Sequence, residues 1–194
     1  MTSNARLILA SGSPQRRAIL EQLRVPFEVR VSGADELTDG PPGEIAAENA
    51  RRKAVAVARA LAADRAPRAP ALPVLGVDTL VVLDGRVYGK PRDAVAARAT
   101  LRALAGNEHT VLSGLCVVRG GEETVAVART GVRFRALSDD EIDGYLATGE
   151  WRDRAGGYAI QGRGALLVSE IHGDYLNVVG LPVAELVRVA PELF

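Results

Sequence analysis

Apolar and polar positions along this chain switch between a period near two and a period near 3.6, and the switches predict its elements. Leu7–Ala10 reads as a short buried strand. Ser13 then offers an N-cap with Pro14 at the first helical position, opening a helix to about Arg24. Phe27–Val31 is a second strand, Pro41-Pro42 breaks the chain, and an alanine-rich helix runs from about Glu44 to Ala63. Arg65–Pro73 is a Pro/Ala/Arg surface loop. Val74–Leu83 and Arg86–Tyr88 are strands joined by the hairpin signal Asp84-Gly85. Asp93 caps a helix to about Ala105, which stops at Gly106. Two long strands, His109–Arg119 and Glu123–Phe134, turn at Gly120-Gly121. Ser138-Asp-Asp-Glu141 is a capping box for a short helix ending near Gly149. A glycine-rich loop spans Gly149–Gly164, strands Ala165–Ile171 and Tyr175–Val179 follow, and a last helix begins after Pro182. Hairpins among interspersed helices favour a mixed sheet in an α/β fold over a doubly wound parallel one.

Composition narrows the function classes. The 194 residues fit one domain or two small lobes and suffice for a substantial core. Charge balances at 24 lysines and arginines against 24 acidic residues, which argues against nucleic-acid binding. One tryptophan, four tyrosines and three phenylalanines leave little material for stacking bases. The single cysteine, Cys116, lies in an apolar strand and reads as a small buried residue of a reducing, cytoplasmic setting. No apolar run approaches membrane-spanning length, and His109 and His172 are too isolated for a zinc site.

Candidate chemistry begins at the first strand–helix turn. Free N–H groups make a helix N-terminus electropositive, so Arg16 and Arg17 in its first turn imply an anionic partner, with phosphate the usual one. Helical spacing separates the two. Arg16 lies in line with Leu20 and Leu23 on the core-facing stripe, whereas Arg17 shares a solvated stripe with Glu21 and Arg24. Asp78 is the second outlier, a carboxylate within Val-Leu-Gly-Val-Asp-Thr-Leu-Val-Val. Such a residue calls for a metal, a cation or proton chemistry.

Other candidates carry weaker signals. Lys53 and Lys90 are the only lysines of an arginine-rich chain. Along the long helix, however, Ala47, Ala50, Ala54, Val57, Ala58 and Leu61 form the apolar stripe, and Arg51 falls nearer to it than Lys53. Glu36, after a strand, suits a divalent cation or plain solvent. Gly156-Gly-Tyr-Ala-Ile-Gln-Gly-Arg-Gly164 permits close backbone approach, and its Gln161 offers donor and acceptor to a base edge. A flexible turn is the alternative, with Trp151 packing beside it.

Taken in order, these residues resemble the Maf family of septum-formation-inhibitor-like nucleoside triphosphate pyrophosphatases. The landmarks are Leu-Ala-Ser11-Gly-Ser13-Pro with Arg16, Glu36 after Gly-Ala-Asp, Lys53-Ala, Gly76-Val-Asp78-Thr79 and Gly-Lys90-Pro91. Then come Ala155-Gly-Gly-Tyr158-Ala-Ile-Gln161-Gly162 and Gly173-Asp174-Tyr175, leading to Gly180-Leu-Pro182. The resemblance runs from about Leu7 to Val183. It implies a mixed, elongated twisted sheet flanked by helices, in two lobes with a central cleft, and often a homodimer. It also implies hydrolysis of a nucleoside triphosphate at the α-phosphate with Mg²⁺ or Mn²⁺. Asp-Thr followed by Ile-Gln-Gly is similar to the branch acting on dTTP and UTP, whereas the 7-methyl-GTP branch tends to Asp-Gln and Ser-Glu-Gly.

By that resemblance Asp78 would orient or deprotonate the attacking water, and Glu36 with Asp78 would hold the metal. Ser11, Ser13, Arg16, Lys53 and Lys90 would cradle the phosphates, and Thr79 and Gln161 would read the pyrimidine. Gln15 departs from the usual Ser-Pro-Arg-Arg and bears on specificity. The rival readings are the same chemistry on 7-methyl-GTP or another nucleotide, and a nucleotide-sensing regulator of cell division that turns nothing over.

Overall fold

The computed structural model describes residues 5–63 and 72–194, so most of the expected Arg65–Pro73 loop lies outside the described residues. Among these residues seven strands, β1 (Leu7–Leu9), β2 (Phe27–Val29), β3 (Val74–Leu83), β4 (Arg86–Tyr88), β5 (Glu108–Arg119), β6 (Glu122–Phe134) and β7 (Val168–His172), are interspersed with six α-helices. The helices are α1 (Pro14–Gln22), α2 (Pro42–Ala63), α3 (Ala94–Leu104), α4 (Asp139–Leu146), α5 (Tyr175–Val179) and α6 (Val183–Val189). The sheet is mixed, in the order β2-β1-β3-β5-β6-β7 with β4 paired to β3. β1 runs parallel to β2 and β3, whereas β3–β4 and β6–β7 are antiparallel. Asp84 and Gly85 both adopt positive φ, the backbone of a two-residue hairpin turn.

The chain divides into two compact units, the first comprising residues 1–78, 113–128 and 180–194 and the second 79–112 and 129–179. In the first unit α2 lies directly on the sheet. Its buried face is Ala46, Ala50 and Ala54, and the strands opposite carry Gly76 and Gly114. A Cβ on Gly76 would stand 2.2 Å from the Ala50 carbonyl oxygen, and one on Gly114 would stand 2.0 Å from that of Ala46. Only hydrogen fits between helix and sheet. Ile8, Val57, Val74, Cys116 and Val118 complete this core, and burial pushes the Cys116 thiol up to about 12.

The second unit packs Val81, Leu101, Leu104, Phe134, Ile142, Trp151 and Tyr158 into its own core. α3 is capped by Asp93, which accepts from the Ala96 N–H at 2.7 Å, and α4 by the predicted Ser138–Glu141 capping box. His109, 1% exposed, shares a 2.8 Å hydrogen bond with the Tyr158 hydroxyl and meets Phe134 edge-on. Its Nδ1 has no partner, so a second ring proton would be buried unsatisfied. Burial lowers its pKa to about 4, against a weaker raising pull from Glu108.

Acid sensitivity follows from that neutral imidazole. A group whose pKa is lowered by folding stabilises above its unfolded value and loses that contribution as pH falls towards the folded one. Between pH 7 and pH 5, His109 should therefore remove about 2 kcal/mol of stability. Urea denaturation of wild type and His109→Gln at both pH values checks this: the gap between them should narrow by that amount. An unchanged gap refutes it.

Three expectations need correction. Tyr175–Val179 is a helix, because Asp174 Oδ1 accepts from the Leu176 N–H at 2.8 Å and starts a helical turn where a strand was expected. Residues 165–167 belong to a 3-10 turn, Gly162–Leu167, so the strand starts at Val168. Ser13 occupies the N-cap of α1, but its hydroxyl donates to Gln15 Oε1 at 3.1 Å and caps nothing. Arg17 is exposed, as its stripe predicts.

Candidate active site

The site in the first unit starts where β1 hands over to α1. Ser11, 6% exposed, accepts hydrogen bonds from the Ser13 N–H at 3.3 Å and from Arg16 at 2.7 Å. Arg16 Nε donates to the Gly180 carbonyl at 2.9 Å. Two of its nitrogens are thus fixed by the protein, which orients the planar guanidinium. Burial lowers its pKa to about 10, while the carboxylates of Asp78 and Glu36 pull it upward. The first turn of α1 holds no acidic residue. Gln15 is half-buried there and is engaged by the Ser13 hydroxyl.

Facing this turn's charge is a carboxylate pair joined by one lysine. Lys53 Nζ lies 2.6 Å from Glu36 Oε1 and 2.7 Å from Asp78 Oδ1. The Lys53 and Asp78 side chains are largely buried and that of Glu36 is half-exposed, so the group opens to solvent at Glu36. Asp78 Oδ2 accepts from Asn49 Nδ2 at 3.1 Å. Asn49, 2% exposed, also accepts from the Leu37 N–H at 2.7 Å and donates to the Leu37 carbonyl at 3.1 Å. One buried amide therefore ties the loop bearing Glu36 to Asp78.

Sequence pattern gives Asn49 no role and sets Lys53 off the apolar stripe, whereas both side chains reach Asp78. The two stand at i and i+4 on α2, on the side turned to β3. Arg51, placed nearer the core by apolar spacing, instead pairs with Glu48 and Glu123 outside. These bonds to Arg51 and Arg52 hold the Glu48 carboxyl down at about 2. Asn at i before Lys at i+4, both opposite a glycine two residues ahead of an aspartate, was the available signal. The close approach at Gly76 is what lets both side chains reach Asp78.

Thr79, Lys90 and Gln161 belong to the second unit. Strand alternation turns Thr79 to the face of β3 opposite Asp78. Lys90 is exposed, beside Gly89, whose carbonyl accepts from the Gly156 N–H at 3.1 Å. That bond ties the Lys90 loop to the glycine-rich segment. Gln161 is exposed, and its side chain caps nothing in the 3-10 turn it precedes. Trp151 is buried and donates from Nε1 to the Leu146 carbonyl at 3.1 Å, the packing role expected of it.

No group of three or more His, Cys, Asp or Glu side chains suited to a metal occurs among the described residues. Two carboxylates converging on one cation do suit Mg²⁺ or Mn²⁺, which commonly take one or two carboxylates and complete their shell with phosphate and water oxygens. No helix among the described residues is long and apolar enough to cross a membrane.

The chain is similar to known proteins over nearly all of its length. A dTTP/UTP pyrophosphatase of Symbiobacterium thermophilum is 47% identical over 94% of this chain and 91% of its own length. One of Moorella thermoacetica is 50% identical, covering 93% and 91%. One of Pyrococcus furiosus is 41% identical, covering 95% and 93%. The family of Maf-like proteins matches residues 6–193, and the chain accordingly belongs to the Maf family.

Proposed function

We propose that this protein hydrolyses dTTP and UTP to the nucleoside monophosphate and pyrophosphate. The observation that carries the reading is the Glu36–Lys53–Asp78 group, in the same unit as an arginine pinned by Ser11 and Gly180. The names of the relatives, all dTTP/UTP pyrophosphatases, supply the substrate class.

Asp78 is the group placed for proton chemistry. Lys53 and Asn49 each donate to one of its oxygens, so the carboxylate is held in one orientation while lone pairs remain to accept a proton. Water oriented by Asp78 attacks the α-phosphorus. The bond from that phosphorus to the α–β bridging oxygen breaks, the electron pair leaves with pyrophosphate, and the water proton passes to Asp78. Ser11, Ser13, Arg16, Lys53 and Lys90 bind the phosphates, and Gln161 with Thr79 reads the pyrimidine. Gln15 modulates specificity from the first turn of α1. Glu36 and Asp78 would hold a divalent ion, which when bound would offset charge developing on the leaving group.

Release of pyrophosphate from dTTP, UTP, CTP and 7-methyl-GTP with Mn²⁺ tests the reading. Preference for dTTP and UTP is expected. A preference for 7-methyl-GTP, or nucleotide binding without product, overturns it. Arg16→Ala should lower kcat/KM for dTTP on the order of 100-fold, the usual effect of one lost charge-stabilising donor. Thermal unfolding of the variant separates this from loss of the Gly180 contact, and a change under threefold removes Arg16 from the role.

A further inference from the structure

We propose that Glu150 is the positioning residue for recognition of the substrate's base, acting through the backbone that carries Gln161. The inference rests on the reading of Gln161 given above. Glu150 Oε1 accepts from the Arg163 N–H and Oε2 from the Gly164 N–H, both at 3.1 Å. One carboxylate thereby occupies two consecutive amides at the start of the 3-10 turn that Gln161 precedes. Charge-assisted bonds to backbone of this kind are stronger than neutral ones.

The glycines of Gln161-Gly-Arg-Gly164 follow from this contact. Gly162 has φ +77°, and a Cβ there would lie 2.7 Å from Glu150 Oε1. A Cβ on Gly164 would lie 1.8 Å from the Ala159 carbonyl oxygen, so the turn is folded back on the segment that enters it. On the other side of Gln161, the Ala159 N–H donates to the Tyr145 hydroxyl at 2.9 Å. Gln161 is therefore bracketed by two anchors, Tyr145 before it and Glu150 after it.

Both anchors come from one corner at the end of α4. Thr148 Oγ1 donates to the Tyr145 carbonyl at 2.7 Å and accepts from the Glu150 N–H at 3.1 Å. Gly149, at φ +73°, closes the corner. The exposed amide of Gln161 thus projects from a segment whose backbone is held on either side.

Rigidity matters because a carboxamide is ambiguous. It offers one donor edge and one acceptor edge, and a half-turn of its end exchanges them. Uracil and thymine present an acceptor at O4, whereas cytosine presents a donor at N4. The base then selects the edge, provided the amide stands within hydrogen-bond reach of it. The anchored backbone sets that reach, and Glu150 supplies the anchor after Gln161.

The test compares wild type, Glu150→Gln, Glu150→Ala, Gln161→Ala and the Glu150→Ala/Gln161→Ala double variant on dTTP and dCTP. Glu150→Ala should raise KM for dTTP about tenfold, with kcat moving less than threefold and dTTP/dCTP discrimination falling towards that of Gln161→Ala. Glu150→Gln, which keeps one strong acceptor oxygen, should lie between. The double variant should be no worse than Gln161→Ala alone, because Glu150 acts only through that residue. Normal discrimination in Glu150→Gln and Glu150→Ala, or multiplied losses in the double variant, overturns the proposal while Gln161 stands. Unchanged discrimination in Gln161→Ala overturns both. Should Glu150→Ala not fold, Glu150→Gln with its single and double variants carries the same comparison.

Discussion

Asp78→Asn is expected to cut kcat for dTTP about 1,000-fold while leaving the protein folded. General-base contributions of 10²–10⁴ bracket that figure. The substitution changes almost no volume but replaces two acceptor oxygens with one. Lys53 and Asn49 both donate to Asp78, so the new amide nitrogen faces a donor whichever way it is turned. Lys53 keeps its bond to Glu36, which limits the structural damage. Pyrophosphate release under single-turnover conditions, beside a thermal melt, reads the two effects separately. Turnover within tenfold of wild type in a folded variant ends the assignment of Asp78 as the base.

Gly114→Ala should be the most damaging small change in the fold, costing about 3 kcal/mol or more by overpacking. The added methyl would lie 2.0 Å from the Ala46 carbonyl oxygen and 2.6 Å from the Ala47 nitrogen. These are backbone atoms of α2 and cannot rotate away. The helix must lift from the sheet, taking Asn49 and Lys53 with it. Activity should therefore fall alongside the denaturation midpoint, although residue 114 touches none of the catalytic groups. A folded variant with a normal midpoint would show that α2 is not clamped as described.

Sequence pattern was most informative where local forces decide the outcome. Both strands of the Asp84-Gly85 hairpin, the Ser138 capping box and the inward course of Arg16 depend on residues within a few positions of each other. Tyr175–Val179 reads as a strand because four of its five residues are apolar or β-branched and fit a strand as well as a helix. What decides is Asp174 at its start and Asn177, whose Nδ2 donates to the Val111 carbonyl at 3.1 Å across 66 residues. Lys53 was misplaced for a related reason. Apolar spacing identifies the face of α2 that avoids water, but Asn49 and Lys53 are covered by polar groups from β3 and the Glu36 loop. Glu150 gave no pattern at all, since its partners are backbone amides.

The glycine–alanine seam under α2 also bears on how such an enzyme can diversify. Positions 46, 50, 54, 76 and 114 already hold the smallest residues available for their places, so mutation there has nowhere to go but towards displacement of the helix. The hydrolytic group inherits that immobility. Positions 15, 79 and 161, none of them fully buried, stand outside the seam. On the proposed function, a change of substrate preference would arise at those positions, Gln15 among them, rather than along the seam.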